Sequence, residues 1–300
     1  MIDKHESITA KICSFVRAYH SAYSDDIIFD DNLAYDLLGQ EDYVRVGQLI
    51  ENSYDTGSYK KDALFDRNAI EQHVNEFLSP IPLSRIRYTE KMLGDFVKRN
   101  GKTQYVILGA GLDTFAFRNT DENIEIYELD HPDTGRYKKE KIKELELVIP
   151  KNVHFVSIDF NKDNLIDVLL NAGFDTTVPT VFSILGVTYY LTLEIFENTL
   201  KMLDEITDSK AMVIFDYPDE STITNSDKNS KVFKLREMTA KLGEKMTYGY
   251  KTSELTDALR RHSFTVFEHK DPESINNTFF KDRTDGMRAY ENVHFLAGVK

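Results

Sequence analysis

The chain reads as an α/β protein: a doubly wound, mostly parallel sheet of about seven strands behind an N-terminal helical cap. Three observations predict this. A short apolar strand, Tyr105 to Leu108, runs straight into a glycine turn at Gly109 and Gly111. From Gln104 onward, short apolar segments alternate with amphipathic ones. The second apolar segment ends in an acid, Asp130, about twenty residues beyond the glycines, the spacing of a ribose-binding carboxylate in a nucleotide site.

The elements follow in order. Ile8, Ile12, Phe15, Val16 and Tyr19 recur at helical spacing, as do Ile70, Val74 and Phe77. Ser79-Pro-Ile-Pro82 is expected to break the second run, and a further helix passes through Arg87, Met92, Leu93 and Phe96 to Val97. Asn100-Gly101 stops it. With no strand alternation, residues 1–100 form the cap and 101–300 the core, the two making one structural unit. Strands are expected at 105–108, 124–130, 153–159, 180–187, 211–217, 265–269 and 294–299. Most are short, apolar and rich in β-branched or aromatic residues, as buried parallel strands are. Helices at 193–206 and 253–262 fit between them. Residues 218–252 exceed a normal connection, and Val232, Phe233, Leu235 and Met238 give them helical spacing, so an inserted lid helix is expected there.

Composition narrows the class. Hydrophobic content of 41% and charged content of 29% are those of a globular chain with a buried core. No apolar run approaches the roughly 20 residues that span a bilayer. The start, Met1-Ile-Asp-Lys-His-Glu6, lacks the basic-then-apolar order of a secretion signal, so no membrane partner is expected. Net charge of −13 argues against nucleic acid as a partner. The densest basic stretch, Arg136 to Lys143, reads as the solvated face of a helix. Cys13 is the only cysteine, which excludes an internal disulfide and is compatible with a reducing cytoplasmic location. Its neighbours Ile12, Phe15 and Val16 favour simple packing. Oligomeric state does not follow from these numbers.

In an open α/β sheet, ligands bind beyond the carboxyl ends of the strands. The glycine turn, Asp130, Asp159 and the Leu185-Gly186 turn of the fourth strand are therefore expected to meet in one cleft. Glycines there allow positive φ and close approach of a ligand. Asp130 is placed for ribose hydroxyls. Asp159-Phe160 suits an adenine, with the carboxylate toward the exocyclic amine and the ring against the base. Any one acid at a strand end could instead cap a helix. Their convergence is what selects a nucleoside cofactor.

Gln104-Tyr-Val-Ile-Leu-Gly-Ala-Gly-Leu-Asp-Thr114, with Tyr127-Glu-Leu-Asp-His-Pro132, resembles the leucine carboxyl methyltransferase family. These are class I, Rossmann-like enzymes that use S-adenosyl-L-methionine (SAM), and they include bacterial polyketide carboxyl methyltransferases. Thr114 stands where the dinucleotide pattern has a third glycine. Arg17 to Ala34, Ser84-Arg-Ile-Arg-Tyr-Thr-Glu90 and Pro179 to Thr192 are similar to other parts of the family pattern. The resemblance implies that Arg85 pairs with the SAM carboxylate, as a guanidinium fork can. It implies that Gly109, Ala110 and Gly111 line the methionine moiety and that Asp130 binds the ribose. Asp159 and Phe160 would then hold the adenine, with Leu185 beside the methionine end. Arg17 is a weaker candidate for the same carboxylate. The family pattern has glutamate where this chain has Leu185, which removes one polar contact near the methionine amine.

The implied reaction is methyl transfer to oxygen, with the carboxylate of a small molecule or peptide terminus favoured as acceptor. A carboxylate is ionised at pH 7 and needs no base, whereas a phenol or alcohol does. No catalytic base is assigned and no metal is expected. His131, next to Pro132, reads as part of a turn. Tyr189, Tyr190 and Tyr217, at strand ends on the expected substrate side, could orient an acceptor or fill the cleft wall. Arg288, before the last strand, could draw in an anion. Acceptor choice is expected to lie in the helical cap and the 218–252 insertion. Two other readings use a similar sheet: a nicotinamide-dependent oxidoreductase, and a non-catalytic SAM-binding protein, the latter motivated by Leu185.

Overall fold

The computed structural model describes residues 7–53, 71–160, 162–228, 230–241 and 243–300. Met1 to Glu6 and Ile70, used above, lie outside the described residues. Seven strands form one sheet: β1 Thr103–Leu108, β2 Ile124–Asp130, β3 Val153–Ser157, β4 Thr180–Ile184, β5 Ala211–Pro218, β6 Thr265–Lys270 and β7 Val293–Val299. Their order is β3-β2-β1-β4-β5-β7-β6. β1 to β5 pair in parallel, and β7 lies antiparallel between β5 and β6. The expected third and fourth strands end early, at Ser157 and Ile184. Gly186 turns the chain away from the ladder with φ +71°, so Asp159, Leu185 and Gly186 sit in loops beyond the sheet.

Among the described residues, α1 Ile8–Tyr23, α2 Leu33–Leu38, α3 Gln40–Ser53 and α4 Pro80–Asn100 precede the sheet. Between strands lie α5 Phe115–Arg118, α6 Pro132–Glu144, α7 Leu165–Asn171 and α8 Leu193–Ile206. After β5 come α9 Ser221–Thr224, α10 Lys231–Lys241, α11 Thr252–Arg261 and, following β6, α12 Pro272–Phe279. The proline cluster at 80–82 starts a helix as well as ending one. Val74–Leu78 forms a π turn, and Pro80 then opens α4, where its missing N–H removes no helical bond. Gly101, at φ 73°, ends α4 by donating its N–H to Val97 O.

All six residues of β1 are buried, which requires cover on both faces of the sheet. Tyr105 and Ile107 pack into a core with Ile12 and Phe15 of α1 and Ile86 and Met92 of α4. Val106 and Leu108 face the other core, with Phe196 and Leu200 of α8 and Leu255 and Leu259 of α11. The N-terminal helices therefore cover one face of the sheet together with α12 and the segment before β7, which add Ile275, Phe280, Met287 and Tyr290. The segment after β5 carries α10, and Glu244 beyond it reaches back to α1. Its carboxylate accepts from Ser7 Oγ (3.0 Å), Ile8 N (2.9 Å) and Thr9 N (3.4 Å), and also from Thr9 Oγ1. An acid at a helix N-terminus satisfies open N–H groups and suits the helix dipole. α1 in turn lies on the glycine turn, where a Cβ on Gly111 would come within 3.1 Å of Ala10 Cβ.

Candidate functional site

β1 pairs with β2 up to Leu108↔Leu129 and with β4 up to Ile107↔Ser183, so the three strands end level. The chain then turns at Gly109 (φ +81°) and Gly111 (φ +55°). A Cβ on Gly109 would lie 2.7 Å from Val187 Cγ2, so only glycine fits. Gly109 N and Ala110 N both donate to Leu129 O, at 2.9 and 3.0 Å. Gly111 N donates to Asp130 Oδ2 at 2.5 Å, and His131 N donates to Asp130 Oδ1 at 2.6 Å. Burial raises the Asp130 pKa, and the two backbone N–H groups pull it back. A phosphate-binding glycine loop aims free N–H groups at the anion from the head of a helix. Here all three amides are engaged, and α5 is only four residues long. The amides at 109–111 are therefore not free to face a phosphate.

The rest of the turn is held from outside. Leu112 O accepts from Arg17 Nη2 at 2.6 Å, and Asp113 O from Lys138 Nζ at 2.6 Å. Thr114 Oγ1 donates to Asp31 Oδ2 at 2.7 Å and accepts from Arg118 Nε at 2.8 Å. Arg17 is buried and also pairs with Asp31, Nε to Oδ2 at 3.1 Å, so its guanidinium serves the turn. Lys138 also pairs with Glu128 in a fully buried contact. Burial pushes the Glu128 carboxyl up to about 7 against the pull of Lys138.

A second cluster stands at the ends of β4 and β5. Arg85, from α4, donates from Nη1 to Asp216 Oδ2 at 3.0 Å, and its Nη2 lies 3.6 Å from Cys13 Sγ. Arg85 Nε is buried without a hydrogen-bond partner. The Asp216 side chain, fully buried, accepts from Gly186 N on Oδ1 (2.7 Å) and from Tyr189 OH on Oδ2 (2.9 Å). A Cβ on Gly186 would fall 2.6, 2.7 and 2.9 Å from Arg85 Nη2, Nη1 and Cζ. Glycine at 186 is therefore what lets the guanidinium lie on the turn. Burial alone would lower the Arg85 pKa, but the Asp216 carboxylate more than offsets it and the charge is held. Burial, then Asp216, drives the Tyr189 pKa well above its ordinary value.

Asp159 lies two residues past β3 and accepts from Lys162 Nζ at 2.6 Å. The Phe160 side chain beside it is 46% exposed. Leu185 is half-buried against the core shared with the N-terminal helices. Cys13, read as a packing residue, is half-buried beside the Arg85 guanidinium. Tyr190 is half-buried, and burial pushes its pKa up to about 12. Tyr217 does not share a face with Asp216, because successive strand residues point to opposite sides. It sits in the opposite core and bonds Thr252 and His269. His131 caps α6, accepting from Asp133 N. Arg288 folds onto its own loop, donating to Met287 O and Arg283 O.

Asp216 is the residue that sequence reading missed. Its signal was an acid inside the apolar run Ala-Met-Val-Ile-Phe-Asp-Tyr, where a buried carboxylate must find partners. Among the described residues, no group of three or more His, Cys, Asp or Glu could hold a metal ion, and no helix is long and apolar enough to cross a membrane.

The family model for leucine carboxyl methyltransferase matches residues 10–204. A Bacillus subtilis relative, provisionally named S-adenosyl-L-methionine-dependent methyltransferase YktD, is 36% identical, with the match covering 100% of both chains. A similarly named relative from Mycolicibacterium paratuberculosis is 30% identical, over 66% of this chain and 60% of its own. Among solved structures, a DUF574 family protein from Streptomyces avermitilis aligns over 100% of both chains with a TM-score of 0.59 and 12% identity. A protein from Thermobifida fusca described as a methyltransferase aligns over 100% of this chain and 96% of its own, with a TM-score of 0.53 and 12% identity. These two structures share the fold.

Proposed function

Since the chain belongs to the leucine carboxyl methyltransferase family and is a SAM-dependent methyltransferase, we propose that its acceptor is the carboxylate of a small molecule or peptide terminus. The oxidoreductase alternative finds no support among the relatives. One observation carries the carboxylate reading. Three titratable groups at the Gly186 turn are engaged with one another: Asp216 by three donors, Arg85 by Asp216, and Tyr189 by Asp216 with its pKa raised. None of these three is poised to take a proton, so an acceptor already ionised at pH 7 is favoured.

Bound SAM supplies the methyl group. An ionised carboxylate acceptor would displace that methyl group in line without a proton having to be moved, and the products would be a methyl ester and S-adenosylhomocysteine. The chain's part is positioning, which supplies much of the acceleration in such displacements. Arg85 takes the cofactor carboxylate, with Nε as a donor that has no protein partner. Gly109, Ala110 and Gly111 let the backbone approach the methionine moiety, and Leu185 packs beside it. Asp130 takes the ribose hydroxyls. Asp159 and Phe160 hold the adenine.

Incubation with methyl-labelled SAM and a panel of carboxylic acids, peptides and phenols tests this. Labelled methanol should be released from the product by mild alkali, as from an ester. A product stable to alkali would exclude the carboxylate acceptor, whereas NADH binding without SAM binding would exclude the cofactor.

A further inference from the structure

The cluster around Arg85 holds a charge that Leu185 cannot provide. We propose that Asp216 is a positioning residue that makes the Arg85 end of the site a reader of zwitterions, supplying the negative charge beside the β4 turn; this rests on the cofactor reading above. The amino-acid end of SAM carries an ammonium and a carboxylate, and the sulfonium adds a second positive charge. A lone buried guanidinium would attract the carboxylate and repel both cations, most strongly where water is excluded. The Asp216 carboxylate, 3.0 Å from Arg85 Nη1 and fully buried, cancels that repulsion. It is fixed from two directions: Oδ1 by the Gly186 N–H after β4, and Oδ2 by Arg85 of α4 and Tyr189 OH.

Three donors occupy Asp216, yet Arg85 Nε stays buried and unpartnered. The pair is therefore satisfied on its acid side and incomplete on its guanidinium side. A carboxylate from the ligand completes it, and the ligand's ammonium then meets a subsite whose net charge Asp216 has set. Leu185, the residue before Gly186, adds no charge of its own. Cys13 Sγ, from α1, lies 3.6 Å from Nη2 of the guanidinium, away from the open Nε donor.

Calorimetric titration with S-adenosylhomocysteine and with 5′-methylthioadenosine tests this, because the second ligand keeps the nucleoside and thioether but lacks the amino-acid end. Asp216→Asn should weaken S-adenosylhomocysteine binding by about tenfold or more and leave methylthioadenosine unchanged, the size expected for a charged hydrogen-bonded contact. Asp216→Glu should recover part of the loss. An Arg85→Gln/Asp216→Asn double variant removes both charges without leaving one buried, and should show the same selective loss. Equal weakening of both ligands in the double variant, or no weakening of either, would overturn the proposal. Wild-type protein that bound neither ligand would overturn instead the cofactor reading beneath it.

Discussion

Replacing Gly186 with alanine addresses the arrangement most directly. The residue stands at φ +71°, where a Cβ costs an L-residue about 1–2 kcal/mol. The added carbon would also lie 2.6 Å from Arg85 Nη2 and 2.7 Å from Nη1, closer than atoms can pack. The guanidinium is the end of a flexible side chain, so it would swing aside and give up its bond to Asp216. A hydrogen bond to a charged group contributes about 1.5–3 kcal/mol. Gly186→Ala should therefore lower stability by about 2.5–5 kcal/mol in urea unfolding followed by far-UV circular dichroism. With Arg85 displaced, S-adenosylhomocysteine affinity should fall by about 10- to 150-fold. Gly94→Ala in α4 is the control: no heavy atom lies within 4 Å of its added Cβ, and it should gain up to about 1 kcal/mol from helix propensity. Stability loss of the expected size with unchanged S-adenosylhomocysteine affinity would refute the role of Arg85 in binding.

Two further outcomes follow from single side chains. Phe160→Ala should weaken S-adenosylhomocysteine and methylthioadenosine alike by about 1–3 kcal/mol, the range for a base stacked on an aromatic ring, with the melting temperature unmoved because the ring is 46% exposed; lost stability with intact binding would make it a packing residue. His20 accepts from Ile28 N at 2.8 Å, and burial first, then Arg283, lowers its pKa to about 4. Above pH 6.5 it is neutral in both folded and unfolded chains. Below that the unfolded chain takes up a proton that the folded one resists, so stability is lost as pH falls from 6.5 to 4, by up to about 3 kcal/mol. His20→Gln should flatten that slope in urea titrations between pH 7 and 4.5, and an unchanged slope would assign the loss to other groups.

The strands were legible because burial on both faces forces continuous apolar runs, and β1 and β4 are buried at every position. Their ends were less so. Asp159 and Leu185 look like strand continuations in one dimension, but the glycine at 186 and the last ladder pair, Asp130↔Ser157, decide where pairing stops. Strand direction left no mark either, and the reversal of β7 could not be assigned to that strand in advance. The glycine turn and Asp130 were found together because they lie nineteen positions apart in one unit and bond directly. Asp216 was not, because its meaning depends on Arg85, 131 positions away. Tyr217 was misplaced for a related reason: the strand was recognised, but not which of its alternate residues faces the N-terminal helices.

The Glu244 carboxylate on the first turn of α1 carries a consequence of timing. The contact joins positions 236 residues apart, and α1 is the helix that rests on Gly111. Contacts so distant in sequence form late, because the chain between them must be ordered or looped out first. During synthesis the glycine turn emerges long before the residue that pins the helix over it. The seating of α1 over the turn then belongs to the closing stage of folding, and pulse-labelled hydrogen exchange should show the amides of α1 becoming protected together with β5 and β7, later than those of α4.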